Sequence, residues 1–138
     1  MNKDKLLIYA CWLLATISML GSLFFSEIMQ YPPCTLCWYQ RIAMYPLVII
    51  FFLGATENTA ITFKFSIPFV VIGWVIALYH NLLHYKIIPE SASPCMQGVS
   101  CATVYIKLAG FLTIPMMSLI SFTLLIFLLV IQRKFYAK

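Results

Sequence analysis

Four of the five cysteines in this chain form two close pairs, so thiol–disulfide exchange is the first chemistry to consider. Cys34 and Cys37 stand in the sequence Pro-Cys-Thr-Leu-Cys, and Cys95 and Cys101 lie in a stretch that also carries Ser, Pro and Gly. A dithiol gives up an electron pair when it closes into a disulfide, and it can pass that pair on by exchange. The fifth cysteine, Cys11, lies in an apolar run, where we expect a small hydrophobic residue without chemistry of its own.

The first pair has the spacing of a reactive dithiol. Pro32 and Pro33 stop any preceding helix and favour a new helix start, which places Cys34 near the first turn. In a Cys-x-x-Cys motif at a helix start the two sulfurs lie about one turn apart, and the positive end of the helix favours thiolate. The alternative is a plain stabilising disulfide, but so short a loop removes little chain entropy. The motif therefore favours catalysis.

An arginine follows the first pair at helical spacing. Arg41 is four residues after Cys37 and shares a helical face with Cys37 and Cys34. A charged side chain inside a membrane span is costly unless it is paired, so it marks a functional site by default. We expect Arg41 to contact either the Cys37 thiolate or the carbonyl oxygen of a lipid-soluble oxidant. The alternative is an arginine that extends to the membrane surface.

The rest of the chain has the composition of a membrane protein. Of its 138 residues 63% are hydrophobic and only 9% are charged. About 20 apolar residues in a helix cross the hydrocarbon core, and the charged residues leave four such stretches. We predict an all-α fold, a polytopic membrane protein whose single domain, residues 1–138, is a four-transmembrane-helix bundle. The approximate spans are 6–26, 35–56, 65–85 and 108–132, with outer loops at 27–34 and 86–107.

Lysine and arginine predict the orientation. Six of these residues fall on the side of the chain termini, namely Lys3, Lys5, Lys64, Arg133, Lys134 and Lys138. Three fall on the other side, namely Arg41, Lys86 and Lys107. The positive-inside rule then places both termini in the cytoplasm and both cysteine pairs on the extracytoplasmic face, where disulfides persist. The net charge of +5 is a topology signal, and we expect no nucleic-acid partner.

With the spans in place, the segment Cys34-Thr-Leu-Cys37-Trp-Tyr-Gln-Arg41 closely resembles the signature of the DsbB family of quinone-dependent disulfide oxidoreductases. The short chain and the Cys95-x5-Cys101 loop resemble the BdbC-type branch most. The resemblance extends over nearly the whole chain in helix count, topology and order of the pairs. It implies a multi-pass protein of the bacterial plasma membrane that reoxidises a thioredoxin-like extracytoplasmic thiol-disulfide oxidase and so supports disulfide formation in exported proteins.

The resemblance also implies a role for each residue of the relay. The reduced partner's thiolate attacks Cys95, and Cys101 then resolves toward the first pair, where Cys34 accepts the attack. Cys37 meets a quinone from the membrane pool, menaquinone or ubiquinone, beside Arg41. An external acceptor is also required by electron counting, because the sequence carries no flavin motif and no iron–sulfur cysteine cluster.

Three other interpretations remain open from the sequence. His80 and His84 lie four residues apart, but one helix cannot supply both axial ligands of a haem, so we expect interfacial packing or a hydrogen bond from His84 to a quinone carbonyl. A non-enzymatic membrane protein with a four-cysteine zinc site is the main alternative, although we expect no metal. A relative of the vitamin K epoxide reductase type would carry the cysteine pairs in reverse order.

Overall fold

The computed structural model describes residues 2–92 and 113–138, and within them the chain is helical with no strands. The helices are α1 (Lys3–Leu23), which continues into a π-helical turn (Phe24–Ile28), α2 (Thr35–Thr56), α3 (Thr59–His84) and α4 (Ile114–Tyr136), with a short 3-10 turn at Glu90–Ala92. The predicted all-α membrane fold is confirmed. Cys95 and Cys101 lie outside the described residues.

The four helices form a closed bundle. Each helix packs against its neighbour in the chain, and α4 closes the bundle against α1, whereas α1 and α3 make little contact across the diagonal. The core holds fully buried side chains from all four helices, among them Ile8, Leu47, Phe51, Val70 and Leu125. Cys11 belongs to this core, as a small apolar residue would.

The outer surface of the bundle is as apolar as its core. Large apolar side chains such as Ile17, Ile49, Ile72 and Phe127 are more than half exposed. All four helices are long and apolar enough to cross a membrane. Exposure of so much apolar surface to water is unfavourable. Helices of this length with an apolar exterior are therefore stable only in lipid. The chain is therefore a multi-pass membrane protein.

Several helix ends differ from the charge-delimited spans. Helix α3 begins at Thr59 rather than at residue 65, because the Asn58 side chain accepts a hydrogen bond from the backbone N–H of Ala60 and caps the helix ahead of Lys64. At the other end of the bundle, α1 continues as a π-helical turn to Ile28, so the first connection is shorter than the predicted loop 27–34. Charge marks the limit of the apolar stretch and not the end of the helix.

Close packing of α3 against α4 depends on Gly73. A Cβ atom at this position would overlap the ring of Phe122, which is fully buried on α4. We expect Gly73→Val to lower the stability of the bundle by about 1–3 kcal/mol, the usual cost of forcing extra atoms into a packed core. Thermal unfolding in detergent measures the effect. The matched control is Gly21→Ala, where an added Cβ meets nothing within 4 Å and helix propensity favours alanine. Equal melting temperatures for wild type and Gly73→Val would contradict this packing.

Candidate redox site

The first cysteine pair lies at the start of α2. Cys34 is the N-cap residue, and its Sγ accepts a hydrogen bond from the backbone N–H of Cys37 at 3.4 Å. The two Sγ atoms are 3.0 Å apart, so the thiols are in hydrogen-bond contact and close enough to form a disulfide after a small side-chain movement. Cys34 is buried and Cys37 is half-buried. The two sulfurs thus lie close together at the helix start, and the reactivity of the pair stays a prediction.

Helix α3 supplies a histidine to the same site. The Nε2 atom of His80 lies 3.7 Å from Cys34 Sγ, and its Nδ1 atom lies 3.5 Å from Nε2 of Gln40. All three side chains are buried. Since Gln40 also borders the internal cavity described below, Cys34 is connected to that cavity through His80 and Gln40.

Hydrogen bonding favours the thiolate form of Cys34. The hydrogen bond from the Cys37 thiol lowers the pKa of Cys34, and His80 lowers it further, while burial acts in the opposite direction. The net effect brings this pKa from 9.0 to about 4. A thiolate is the nucleophile and the leaving group of exchange reactions, so Cys34 is suited to both roles.

This pKa predicts how the reactivity of Cys34 depends on pH. A depressed pKa keeps the thiolate present above about pH 4, and the thiolate is lost as the pH falls through that value. In a reduced variant without Cys95 and Cys101, we expect alkylation of Cys34 to reach half of its maximal rate well below pH 9.0. Mass-spectrometric alkylation rates across a pH series measure it.

Two variants test the causes of the shift. Because the Cys37 hydrogen bond is its largest cause, Cys37→Ala should raise the midpoint of the alkylation curve more than His80→Phe does. Tyr39→Phe is a suitable control, since Tyr39 lies on α2 with its side chain exposed on the outer surface. A midpoint near the ordinary thiol value in the wild-type pair would contradict the assignment.

Arg41 is buried within α2 and is bound to α1. Its side chain is only 8% exposed, so it does not extend to the membrane surface. The Nε atom donates to Ser22 Oγ at 2.8 Å and Nη2 donates to the Ser22 carbonyl oxygen at 2.9 Å. The ring of Trp38 lies against the other side, with its centroid 5.1 Å from the guanidinium carbon. The guanidinium is thus held in a defined plane.

A cavity of about 350 Å³ lies beside the cysteine pair and Arg41. Its polar lining includes Ser22, Cys37, Gln40 and Arg41. Its apolar lining comes mainly from α1, α2 and α4 and includes Leu14, Ile17, Phe25, Met44, Met117 and Phe122. A mostly apolar cavity with a few convergent polar groups is the typical form of a site for an apolar small molecule.

The site also offers ligand atoms for a metal ion. Cys34, Cys37 and His80 place three donor atoms within 4.8 Å of one another. However, two thiolates bound to one zinc ion in tetrahedral geometry lie about 3.8 Å apart, given Zn–S bonds of about 2.3 Å. The Sγ atoms here are 3.0 Å apart, which suits a hydrogen-bonded dithiol better than a chelate.

The structure brings together some of the residues selected from the sequence. Cys37 and Arg41 both line the cavity, and Cys34 adjoins it through Cys37. Within the described residues His84 is not part of the lining. Its ring packs edge-on against Tyr85 at a centroid distance of 5.4 Å, so its contact with a quinone stays a prediction.

Sequence reasoning missed two contributors to this site. Ser22 lies outside the cysteine motif, and Gln40 lies within the motif without a role that its spacing predicts. Each contacts a residue far away in the chain, 19 positions for Ser22 and Arg41, and 40 positions for Gln40 and His80. Ser22 and Gln40 are polar residues within or beside apolar spans, and this is the feature that could have marked them. It does not indicate which residue each one contacts.

Comparisons with known proteins show which family the chain resembles. Residues 4–132 match the family profile described as disulfide bond formation protein DsbB. The chain is 43% identical over 126 residues to "Disulfide bond formation protein C" of Bacillus subtilis, covering 91% of each chain. It is 42% identical over 135 residues to "Probable disulfide formation protein C" of Halalkalibacterium halodurans, covering 96% of this chain and 98% of the relative. No solved structure matches it significantly.

Proposed function

Because this chain belongs to the DsbB family of disulfide bond formation proteins, we propose that it reoxidises a thioredoxin-like dithiol protein and passes the electron pair to a membrane quinone. The general role, disulfide oxidation in a membrane, follows from the family. The quinone and the protein partner are the proposed part. The observation that supports them best is the placement of Cys37 and Arg41 together on the wall of one largely apolar cavity.

The thiol side of the reaction begins with two disulfides in the oxidised protein. The partner's thiolate attacks Cys95, and the partner's second thiol then displaces it, which leaves Cys95 and Cys101 reduced and the partner oxidised. Cys101 then attacks Cys34 and releases Cys37. Attack of Cys95 on Cys101 releases Cys34, so the electron pair now lies on Cys34 and Cys37. Each exchange forms one sulfur–sulfur bond and breaks another, so no electrons are lost. The low pKa of Cys34 makes it a good leaving group when Cys95 displaces it from the Cys101–Cys34 disulfide.

The cavity has the composition that a quinone requires. A quinone supplies the final sink, since it takes up two electrons and two protons and moves within the lipid. The apolar walls suit its ring, and Arg41 offers N–H donors suited to a carbonyl oxygen. Cys37 lines the same cavity. Reoxidation of the pair draws one proton from the Cys37 thiol and one from the His80 imidazole beside the Cys34 thiolate, which balances the proton uptake.

His80 is placed to handle one of these protons. Its ring contacts Cys34 Sγ and connects to Gln40 on the cavity wall. An imidazole beside a thiolate can hold the proton that the thiol has given up and pass it on. We assign His80 to proton transfer at Cys34 Sγ, with Gln40 holding the ring in place.

A reconstituted assay tests the proposal. The full-length protein in lipid nanodiscs is mixed anaerobically with a reduced thioredoxin-like protein and a decyl-substituted benzoquinone, and quinone reduction is followed by absorbance. We expect multiple turnovers per chain, and loss of the partner's free thiols in equal molar amount. A wild-type protein that reduces no quinone but carries one tightly bound zinc ion per chain would overturn the proposal in favour of a metal site.

The extracytoplasmic location of the cysteines belongs to the same proposal. The excess of lysine and arginine on the side of the termini supports it. Labelling of intact cells with a membrane-impermeant thiol reagent, after mild reduction, tests it directly. We expect labelling of the cysteine pairs, and protection of all cysteines from the reagent in intact cells would contradict the orientation.

A further inference from the structure

Arg41 needs a partner because it is buried in a membrane helix. A charged side chain inside such a helix is costly unless it is paired. The two hydrogen bonds that the structure gives to its guanidinium both come to one residue, Ser22 on α1. One uses the serine hydroxyl and the other uses the serine backbone carbonyl. A single residue of α1 therefore determines how the guanidinium lies.

The two hydrogen bonds occupy one edge of the guanidinium. An arginine has five N–H donors in a rigid planar fork. Ser22 accepts from Nε and from Nη2, which leaves three other N–H donors on a side chain that lines the cavity. The Trp38 ring covers one face of the same group. Rotation of the fork about its long axis would break the Ser22 contacts, so these contacts select one orientation.

The local form of α1 places Ser22 correctly for this contact. Ser22 lies just before the π-helical turn Phe24–Ile28, and both Ser22 and the preceding Gly21 line the cavity. Single π-helical turns inside α-helices occur frequently at functional sites. The position beside Ser22 is also open, since a Cβ atom on Gly21 would meet nothing within 4 Å. The Arg41 side chain can thus reach α1 without displacing other groups.

We propose that Ser22 is a positioning residue, which holds the Arg41 guanidinium in the orientation that binds a quinone carbonyl in the cavity. The inference rests on the proposed quinone function. It adds a residue on a different helix, outside the cysteine motif, whose contribution is made entirely through Arg41. Ser22 therefore affects quinone binding and leaves the thiol–disulfide steps unchanged.

The test measures quinone binding directly. Oxidised protein in lipid nanodiscs is titrated with a decyl-substituted benzoquinone, and quenching of tryptophan fluorescence gives the Kd without turnover. Ser22→Ala removes the hydroxyl acceptor and keeps the carbonyl contact, so we expect Kd to rise about three- to tenfold. Ser22→Thr keeps a hydroxyl and should recover most of the affinity. Thiol exchange with the reduced partner in the absence of quinone should match the wild type.

A double-mutant cycle separates positioning from a general structural effect. In an Arg41→Gln background we expect Ser22→Ala to change Kd less than twofold, because its effect requires the guanidinium. Ser66→Ala removes a serine hydroxyl that is buried in the bundle and lies outside the cavity, and it should leave Kd unchanged. An unchanged Kd for Ser22→Ala, or an equal loss in both backgrounds, overturns the positioning role. Failure of the wild type to bind quinone overturns the proposed function as well.

Discussion

Replacing Cys37 by serine is expected to abolish quinone reduction in the reconstituted assay, with a loss of about a thousandfold or more. Serine keeps the size and the helix start of α2 but cannot form a disulfide, so Cys34 loses the thiol 3.0 Å away with which it shares the electron pair. Initial rates of quinone absorbance change at saturating partner measure the loss. Because the reaction needs a complete pair, Cys34→Ser should lose as much, and the double variant should lose no more.

Cys11 provides the matched control for this experiment. It is a cysteine of the same chain, fully buried in the core and remote from the pair in the first turn of α2. Cys11→Ala removes a sulfur from the core, so we expect a lower melting temperature with retained turnover. A Cys37→Ser protein that is folded and still reduces quinone at a tenth of the wild-type rate would show that the electron pair follows another route.

The membrane fold and the reactive pair could be predicted from the sequence because both depend on local features. Four long apolar stretches require four spans, whatever their neighbours are. The helix start at Cys34 follows from Pro32 and Pro33, and the one-turn distance to Cys37 follows from helix geometry. The family resemblance rested on the same short segment and is confirmed. None of these predictions required knowledge of how the helices pack.

The contacts between helices could not be predicted, because the helices are apolar on all sides. In a soluble helix the polar face shows which side is exposed, but here Leu47 is fully buried and Ile49 is 63% exposed although both are aliphatic. The rotation of each helix about its own axis is set by packing. At Gly73, for example, the absence of a side chain leaves room for the Phe122 ring. The contact of Ser22 with Arg41 depends on that rotation, so it was not visible in either segment alone.

The two histidines of α3 are a second case in which the sequence does not predict a contact between helices. His80 and His84 are one turn apart, and the sequence favoured His84 for contact with a quinone. In the structure His80 is buried against Cys34, whereas His84 lies near the end of α3 beside Tyr85. Which of them reaches the cysteine pair depends on the depth at which α3 crosses the start of α2. Residue spacing along one helix contains no information about that depth.

Arg41→Lys is expected to raise the apparent KM for the quinone by about ten- to a hundredfold while the protein remains folded. Lysine keeps the positive charge but loses the planar fork, so it cannot bond both Ser22 atoms and a further oxygen with the same geometry. Loss of one hydrogen bond to a charged group corresponds to about 1.5–3 kcal/mol, and about 1.4 kcal/mol is a tenfold change. Quinone-dependent rates over a range of quinone concentrations measure the change.

Comparison of Arg41→Lys with Arg41→Gln distinguishes a role in quinone binding from a role in stability. If its charge alone stabilised the bundle, Arg41→Lys would behave as wild type and Arg41→Gln would unfold at a lower temperature. We expect instead that both variants weaken quinone use, that Arg41→Gln does so more, and that exchange between the cysteine pair and a reduced partner is retained in both. Lys64→Gln is the control for removal of a cation, because Lys64 is exposed on α3 and lies outside the cavity lining. Unchanged quinone kinetics in Arg41→Lys would show that the fork has no role in binding the acceptor.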